Sequence, residues 1–345
     1  MAHQSLYRTH RPATFADVVG QEQVTKPLAE AARSKTIGHA YLFAGSRGLG
    51  KTSVARIFAR EIGCGENDLY EIDAASNRGI DDVRAIRDAV STLPFSSRYK
   101  VYIIDEVHML TKEAFNALLK TLEEPPKHVV FILATTEFEK LPETIISRCQ
   151  SFTFKKPSQT VLKDLVIRIA KKEGFTLEQA SADTIAFLGD GSFRDTHGIL
   201  QKVISASKDK KISVEEVETI VGAPRGKIVL AFVKAVSEKD AGAGITALHE
   251  ATRANVDMKV FLKIVLERLR QILLLRYAGE LTSAIKEEMT ESDFVFAQKA
   301  AADEKNGISG ATLSEFLAAY DLIRYSAIPE LPIELTLIKL FSKGT

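Results

Sequence analysis

The chain has 345 residues, of which 45% are apolar and 26% charged, a balance typical of soluble globular proteins with two or three domains. A formal net charge of +1 excludes a globally basic coat for nucleic acid, so a contact of that kind would need a local basic patch. Two cysteines are too few for a disulfide framework or for a zinc site built from thiols. The N-terminus does not resemble a signal peptide, and no apolar run reaches ~20 residues, so we expect a cytoplasmic protein without a membrane partner.

The first chemically informative element lies near residue 45, where the apolar run 40–44 leads into the loop 45–52, Gly-Ser-Arg-Gly-Leu-Gly-Lys-Thr, and then into a helical pattern. In this order of strand, loop and helix, backbone N–H groups and a helix N-terminus face a triphosphate. Lys51 then reaches the outer phosphates and the Thr52 hydroxyl holds Mg²⁺. The sequence therefore predicts a site for ATP or GTP. Its predicted nucleotide contacts are Gly45, Ser46, Arg47, Gly48, Leu49, Gly50, Lys51, Thr52 and Ser53.

Four more strand patterns follow, over residues 69–73, 101–104, 129–134 and 151–154. Their alternation with helical patterns predicts an α/β fold, a parallel sheet with helices on both faces. The second and third of these runs are almost entirely apolar, as interior strands should be. Between them, apolar residues at helical spacing after Thr111 predict a helix with a threonine cap that ends before two prolines.

Acidic and hydroxyl residues follow the predicted interior strands. Asp105 is expected to hold Mg²⁺, and Glu106 to orient and polarise the water that attacks the γ-phosphate. Alone, such an acidic pair is as readily a solvated strand end, but together with the glycine loop it argues for hydrolysis. Thr136 follows the next strand at the same carboxyl edge, and we expect it to contact the γ-phosphate, with ordinary turn chemistry as the alternative.

The strand pattern stops at Pro157, and helical patterns take over to the end of the chain. They predict helices near 161–169, 182–188, 192–206 and 214–221, and the Gly-Ala-Pro run at 222–224 is typical of a hinge. An apolar stripe over 261–272 and a final helix opening at Leu331 predict packing rather than a site. We therefore predict three domains: 1–157, 158–222 and 223–345.

Several further motifs share a resemblance to one family. They are Arg11-Pro12-Ala13-Thr14-Phe15, Val18-Val19-Gly20-Gln21, His39-Ala40-Tyr41-Leu42-Phe43, Leu122-Glu123-Glu124-Pro125-Pro126 and Ile145-Ile146-Ser147-Arg148-Cys149. With the glycine loop, they make the chain similar to the gamma/tau subunits of bacterial DNA polymerase III, the AAA+ ATPase motors of sliding-clamp loaders. The likeness is dense from about residue 7 to 200 and looser beyond. It implies a RecA-like AAA+ domain, a small helical lid domain and an all-α collar domain that oligomerises.

The resemblance also implies roles for individual residues. Arg148 would reach the ATP of a neighbouring subunit in trans, and Arg194 would contact the γ-phosphate in cis from the lid. A surface ion pair is the alternative for Arg148, and a helix-capping segment for Arg194. The nucleotide would be ATP, its adenine wrapped by an N-terminal segment that contains Tyr7, Arg8, Arg11, Pro12, Val18 and Val19.

One feature common in this family is missing. Most members carry a four-cysteine zinc module between the helix after the glycine loop and the second strand. Here Cys64 matches the first ligand, but no other cysteine follows before Cys149, so we expect no zinc site. The chain also stops after the predicted collar, and we therefore expect the short, gamma-like form.

The implied function is that of a clamp-loader motor, which uses ATP and Mg²⁺ to load a sliding clamp onto primed DNA in a ring with other loader subunits. The helix start near Arg78 would then face the DNA backbone, but Asp81 and Asp82 oppose such a contact, and a simple helix start is the alternative. A non-hydrolysing, stator-like subunit and another AAA+ motor, such as a branch-migration helicase, remain the alternatives. The intact glycine loop and acidic pair argue against the first, and the helical pattern after Gly222 argues against the second.

Overall fold

We analysed a computed structural model that describes residues 5–207, 209–287, 289, 291–303 and 305–342. The chain divides into two compact units, Met1–Ile212 and Ser213–Thr345. Each unit has its own buried apolar core. The predicted lid, 158–222, lies in the first unit up to residue 212 and in the second beyond it, and the division into three domains stays a prediction.

In the described part of the first unit, five parallel strands form one sheet. They are β1 (Ala40–Ala44), β2 (Leu69–Asp73), β3 (Lys100–Asp105), β4 (Val129–Thr135) and β5 (Gln150–Thr153). Their order in the sheet is β2-β3-β4-β1-β5. The predicted α/β fold is confirmed, and β3 and β4 are interior strands whose side chains are buried on both faces, which explains their apolar runs.

The register of the sheet gathers the predicted chemistry at one edge. Ala44, the last residue of β1, pairs with Thr135 of β4 and with Thr153 of β5. Asp105, the last residue of β3, pairs with Asp73 of β2. Because the strands are parallel, the glycine loop after β1 and the acidic pair at the end of β3 share the carboxyl edge.

Helices cover both faces of this sheet and form most of the rest of the first unit. The helix Lys112–Glu123 is capped by Thr111, whose hydroxyl accepts a hydrogen bond from the Ala114 N–H at 3.2 Å, as the sequence predicts. The helices are α1 (Leu6–Thr9), α2 (Glu22–Ser34), α3 (Lys51–Glu61), α4 (Ile80–Val90), α5 (Lys112–Glu123), α6 (Glu143–Ile146), α7 (Gln159–Lys172), α8 (Gln179–Leu188) and α9 (Phe193–Ala206).

A small parallel strand pair was not predicted. Beyond Pro157 the sequence pattern indicates helices alone, yet β6 (Thr176–Leu177) pairs with β7 (Lys211–Ile212). Two residues are too few to produce an alternating apolar pattern, and each strand depends on a partner distant in the sequence. A pattern within one window therefore could not reveal it.

The described part of the second unit is helical. The predicted apolar stripe lies in the helix Met258–Tyr277 and is buried except for Ile264, which is partly buried. The ring centroid of Phe232 lies 5.2 Å from that of Phe261 and 5.8 Å from that of Phe316. Among the described helices, none is long and apolar enough to cross a membrane. The helices are α10 (Val214–Val221), α11 (Gly226–Glu238), α12 (Ala241–Arg253), α13 (Met258–Tyr277), α14 (Thr282–Glu287), α15 (Glu291–Ala302), α16 (Gly310–Ile323) and α17 (Leu331–Phe341).

The buried carboxylate of Asp68, in the connection between α3 and β2, holds the loop before β3 through hydrogen bonds. Asp68 accepts backbone N–H groups from Phe95, Ser96 and Ser97 at 2.5, 3.1 and 3.0 Å. Burial works to raise the pKa of Asp68, but these donors outweigh it and lower the pKa to about 2. Cys64 lies beside this connection, and burial raises the pKa of its thiol to about 11. Among the described residues, no cluster of metal-binding side chains occurs.

We expect Asp68→Asn to lower the free energy of unfolding by about 2 kcal/mol at neutral pH, because an amide accepts weaker hydrogen bonds than a carboxylate. The folded-state pKa lies below the unfolded value of about 3.9, so this stabilisation is present above about pH 4 and is lost as the pH falls toward 2. Urea unfolding of both proteins across this range measures the difference. Asp81→Asn, at a side chain that is 89% exposed, is the control. A difference that stays constant as the pH falls would contradict the assignment.

Candidate nucleotide-binding site

The glycine loop follows a path that side chains would block. Gly48 and Gly50 have φ angles of 77° and 95°, in the left-handed region that favours glycine. A Cβ atom added at Gly48 would lie 2.1 Å from the Ser192 Oγ atom. The Phe193 N–H also donates to the Gly48 carbonyl oxygen at 3.0 Å. The loop is therefore packed against the start of α9.

Lys51, the first residue of α3, carries a buried charge beside this loop. Its side chain is 6% exposed, and its Nζ atom donates to the carbonyl oxygens of Gly45 at 2.5 Å and Ser46 at 3.0 Å. Burial lowers the pKa of Lys51, whereas the carboxylates of Glu106 and Asp105 raise it. A buried ammonium of this kind is stabilised by an anion, and phosphate oxygens fit the position.

An oxygen pair suited to a divalent cation lies next to Lys51. The Thr52 hydroxyl donates to Asp105 Oδ2 at 2.7 Å, which joins the first turn of α3 to the end of β3. Hydroxyl and carboxylate oxygens are ligands that Mg²⁺ accepts, usually with several waters. These two residues therefore fit the predicted metal.

Glu106 has an unusual backbone and a well-defined partner. Its φ of 50° and ψ of 42° lie in the left-handed region, which costs a residue with a Cβ atom about 1–2 kcal/mol. Strain of this size is often retained at functional sites. The Glu106 carboxylate accepts a hydrogen bond from the Thr136 hydroxyl at 2.8 Å. The predicted base and the predicted phosphate contact are thus brought together.

Arg194 lies in the first turn of α9, on the side of the glycine loop. Its Cζ atom lies 5.9 Å from the centroid of the Tyr7 ring, and its charge opposes protonation of Lys51. Ser192 caps the same helix, with its Oγ atom accepting the Asp195 N–H at 3.2 Å. The capping segment is therefore present, and it places an arginine beside the loop.

The N-terminal segment contacts the helices after β5. The Leu6 N–H donates to Gln201 Oε1 at 3.0 Å, and the Nε2 atom of His10 lies 2.6 Å from Oε1 of Glu173. Arg11 is half-buried, and burial is the main cause that lowers its pKa. Val18 packs partly buried against the core on the α3 side of the sheet, and Val19 is partly exposed. Thus the segment predicted to wrap adenine is held to α7 and α9.

Arg148 lies just after α6 and is held within this chain. Its guanidinium pairs with Glu123 at 2.5 Å and donates to the Thr144 carbonyl oxygen at 2.7 Å. Its side chain is 32% exposed. The ion pair that was the alternative interpretation is therefore present in the single chain. A role in trans stays a prediction.

Sequence reasoning missed His108. Its imidazole lies between Thr135 and Glu137, which flank Thr136, and 3.5 Å from the Glu106 carboxylate. The available signal was its position, two residues after Glu106 in the run Asp-Glu-Val-His.

The helix start near Arg78 is capped by an acidic side chain. The Asp82 carboxylate accepts the Gly79 N–H at 3.0 Å and so caps α4, and Arg78 is exposed.

Known proteins with similar sequences match most of this chain. A family model described as "DNA polymerase III, delta subunit" matches residues 20–78 and 67–158. The DNA polymerase III subunit tau of Bacillus subtilis is 41% identical over 315 residues, which are 85% of this chain and 56% of that protein. The gamma/tau subunit of Mycobacterium tuberculosis is 38% identical, covering 81% and 52%, and the tau subunit of Escherichia coli is 37% identical, covering 84% and 49%. The chain spans about half the length of the curated relatives it matches.

A solved structure supports the fold. The Thermotoga maritima RuvB Holliday junction branch migration motor superposes with a TM-score of 0.54 at 24% identity. The match covers 66% of this chain and 79% of that one. Identity at this level shows a shared fold, here a parallel sheet with helices on both faces.

Proposed function

Because this chain belongs to the gamma/tau family of DNA polymerase III subunits over the part it shares with them, we propose that it is the ATP-hydrolysing motor subunit of a clamp loader. In this function, ATP binding and hydrolysis drive the loading of a sliding clamp onto primed DNA in the bacterial cytoplasm. The observation that carries the proposal is the meeting of a buried Lys51, the Thr52–Asp105 pair and Glu106 at one edge of the sheet.

The residues of the site divide the work of phosphoryl transfer to water. Lys51 exchanges its two loop carbonyl partners for phosphate oxygens. Thr52 and Asp105 hold Mg²⁺, which neutralises charge on the phosphates when it is bound. The Glu106 carboxylate orients the attacking water and polarises its O–H bond. Thr136 and Arg194 contact the γ-phosphate, Arg194 from the start of α9.

We propose that other loader subunits complete this site and that the second unit joins them. Helices α16 and α17 expose several large apolar side chains, a feature typical of protein interfaces. They are Leu317, Leu322, Leu335 and Ile338, between 45% and 57% exposed. In the assembly, Arg148 leaves Glu123 and reaches the ATP of a neighbour. A surface ion pair is worth about 0–1 kcal/mol, so the exchange costs little.

The loop 91–99 lies before β3, at the amino edge of the sheet, opposite the carboxyl edge that carries the proposed nucleotide site. Its exposed side chains favour contact with a protein partner. Its apolar side chains Leu93 and Phe95 are 77% and 83% exposed, although Asp68 fixes its backbone. A rigid apolar protrusion loses little conformational entropy when a partner binds it. We propose that the sliding clamp contacts this loop.

We also propose that primed DNA contacts the exposed Arg78 just before α4. The guanidinium rather than the N-terminus of the helix would bind phosphate, because Asp82 already accepts the Gly79 N–H there.

The deciding measurement is ATP hydrolysis by the purified full chain with and without a sliding clamp and primed DNA. We expect clamp and DNA together to raise turnover about tenfold. The stimulation should weaken as salt is raised, because phosphate contacts release counterions. The Lys51→Ala chain is the background control.

Other outcomes identify the alternatives. A non-hydrolysing loader subunit is the second candidate, favoured by the match to the delta-subunit model, and it would bind ATP without turnover under any condition. Hydrolysis that responds to branched DNA but ignores the clamp would indicate another AAA+ motor. Either result would overturn the proposed function.

A further inference from the structure

His108 is a buried histidine that the proposed chemistry does not use. It lies in the 3₁₀ turn Val107–Met109, directly after the left-handed Glu106, and its side chain is 5% exposed. Both ring nitrogens have polar neighbours. Nδ1 lies 3.0 Å from Thr135 Oγ1, and Nε2 lies 3.2 Å from Glu137 Oε1.

The neighbours determine where the imidazole carries its hydrogen. A carboxylate only accepts, so Glu137, itself paired with Lys140 at 2.7 Å, places a hydrogen on Nε2. With its hydrogen on Nε2, the neutral imidazole has an Nδ1 that only accepts, so the Thr135 hydroxyl donates to Nδ1 while its oxygen accepts the Glu137 N–H at 3.0 Å. Each polar group in this network has a partner of the right kind, which favours a fixed arrangement.

The two contacts of His108 lie on either side of Thr136. Thr135 is the last residue of β4, and Glu137 begins the turn that follows. The Thr136 hydroxyl between them donates to Glu106 Oε2 at 2.8 Å. The same carboxylate oxygen lies 3.5 Å from Nδ1, too far for a hydrogen bond. His108 therefore acts on Glu106 through the tripeptide 135–137 rather than directly.

We propose that His108 is a positioning residue, which bridges Thr135 and Glu137 and so holds the Thr136 hydroxyl in reach of both the Glu106 carboxylate and the γ-phosphate. The role in hydrolysis rests on the proposed function, whereas the bridge itself does not. A misplaced Thr136 or Glu106 affects the step in which water attacks. Binding of ATP, which depends on the glycine loop, is affected little.

Three substitutions of His108 test its contacts with Thr135 and Glu137 separately. An asparagine side chain places its oxygen near the position of Nδ1 and keeps the contact with Thr135, whereas glutamine places an N–H near that of Nε2 and keeps Glu137. Leucine keeps neither. We expect His108→Leu to lower kcat about tenfold or more with KM changed less than about threefold, and His108→Asn and His108→Gln to fall between it and the wild type. His128→Leu, at a partly buried histidine bonded to the carbonyl oxygen of Thr92, is the control.

A double substitution tests whether His108 acts through Thr136. If it does, His108→Leu combined with Thr136→Val should lower kcat no further than Thr136→Val alone, because the group that is positioned is already gone. Losses that multiply would overturn the proposal. So would an equal fall in ATP affinity and kcat in all three single variants, which indicates general damage to the fold.

A measurement without ATP keeps the bridge testable if the chain does not hydrolyse it. In the nucleotide-free full chain with labelled threonine methyl groups, NMR should show one ordered rotamer for Thr136 in the wild type and rotamer averaging in His108→Leu. An unchanged Thr136 methyl signal would overturn the inference. Absence of hydrolysis in the wild type, with this methyl effect present, would instead overturn the proposed function alone.

Discussion

Glu106→Gln is expected to lower steady-state ATP hydrolysis by about 10²- to 10⁴-fold while the affinity for ATP changes less than about threefold. The amide has nearly the shape of the carboxylate and still accepts the Thr136 hydroxyl through its oxygen. It cannot draw a proton from water. The substitution leaves Lys51, Thr52 and Asp105, the proposed contacts of the phosphates and Mg²⁺, unchanged. Phosphate release gives kcat, and titration with a fluorescent ATP analogue gives the affinity.

The matched control for this prediction is Glu139→Gln, at an exposed glutamate shortly after β4. It removes the same charge and should leave both quantities near the wild-type values. Full turnover by Glu106→Gln would remove Glu106 from its role. Loss of ATP binding by the same variant would show that the carboxylate shapes the site rather than activating water.

Arg148→Ala is expected to silence the neighbouring subunit rather than its own. In rings assembled from mixed chains, a wild-type site that faces an Arg148→Ala neighbour should lose about 10³-fold in turnover, because the guanidinium no longer stabilises the charge on the transferring phosphoryl group. A site on an Arg148→Ala chain that faces a wild-type neighbour should keep its turnover. Turnover measured against the fraction of variant chains distinguishes the two patterns.

A substitution of Glu123, the ion-pair partner of Arg148, is the control for the prediction that Arg148 acts on a neighbouring subunit. Glu123→Gln removes the partner that holds Arg148 in the single chain, at 2.5 Å, and leaves the arginine intact. We expect this variant to hydrolyse ATP at least as fast as the wild type in the assembled ring. Per-site turnover that does not depend on the fraction of Arg148→Ala chains would contradict the assignment and leave Arg148 as half of a surface ion pair.

The sheet and the glycine loop could be predicted because their signals are local. The strands β1, β3 and β4 are short, mostly apolar runs, and in a parallel sheet the residues that follow such strands meet at one edge. This rule places Lys51, Asp105 and Glu106 together from the sequence alone. The Thr111 cap was visible for the same reason, since donor and acceptor lie three residues apart.

The parts that escaped prediction depend on partners far apart in the sequence. Asp68 is an ordinary exposed acid by its own neighbours, and only the fold brings the N–H groups of residues 95–97 to it. His108 resembles a lone histidine until the fold brings Thr135, at the end of β4, and Glu137, in the turn that follows, to its ring. The left-handed backbone of Glu106 has no local signal either, because residues with a Cβ atom adopt it only when the surrounding structure demands it.

The position of β1 has a consequence for the order of events during protein synthesis. This strand leads into the glycine loop, yet it lies between β4 and β5, and its last residue, Ala44, pairs with Thr153. Translation proceeds at about 5–20 residues per second, so a ribosome needs on the order of ten seconds to go from the loop to its last supporting strand. If the loop binds ATP as proposed, we expect a nascent chain to do so only after β5 has left the exit tunnel and completed the sheet.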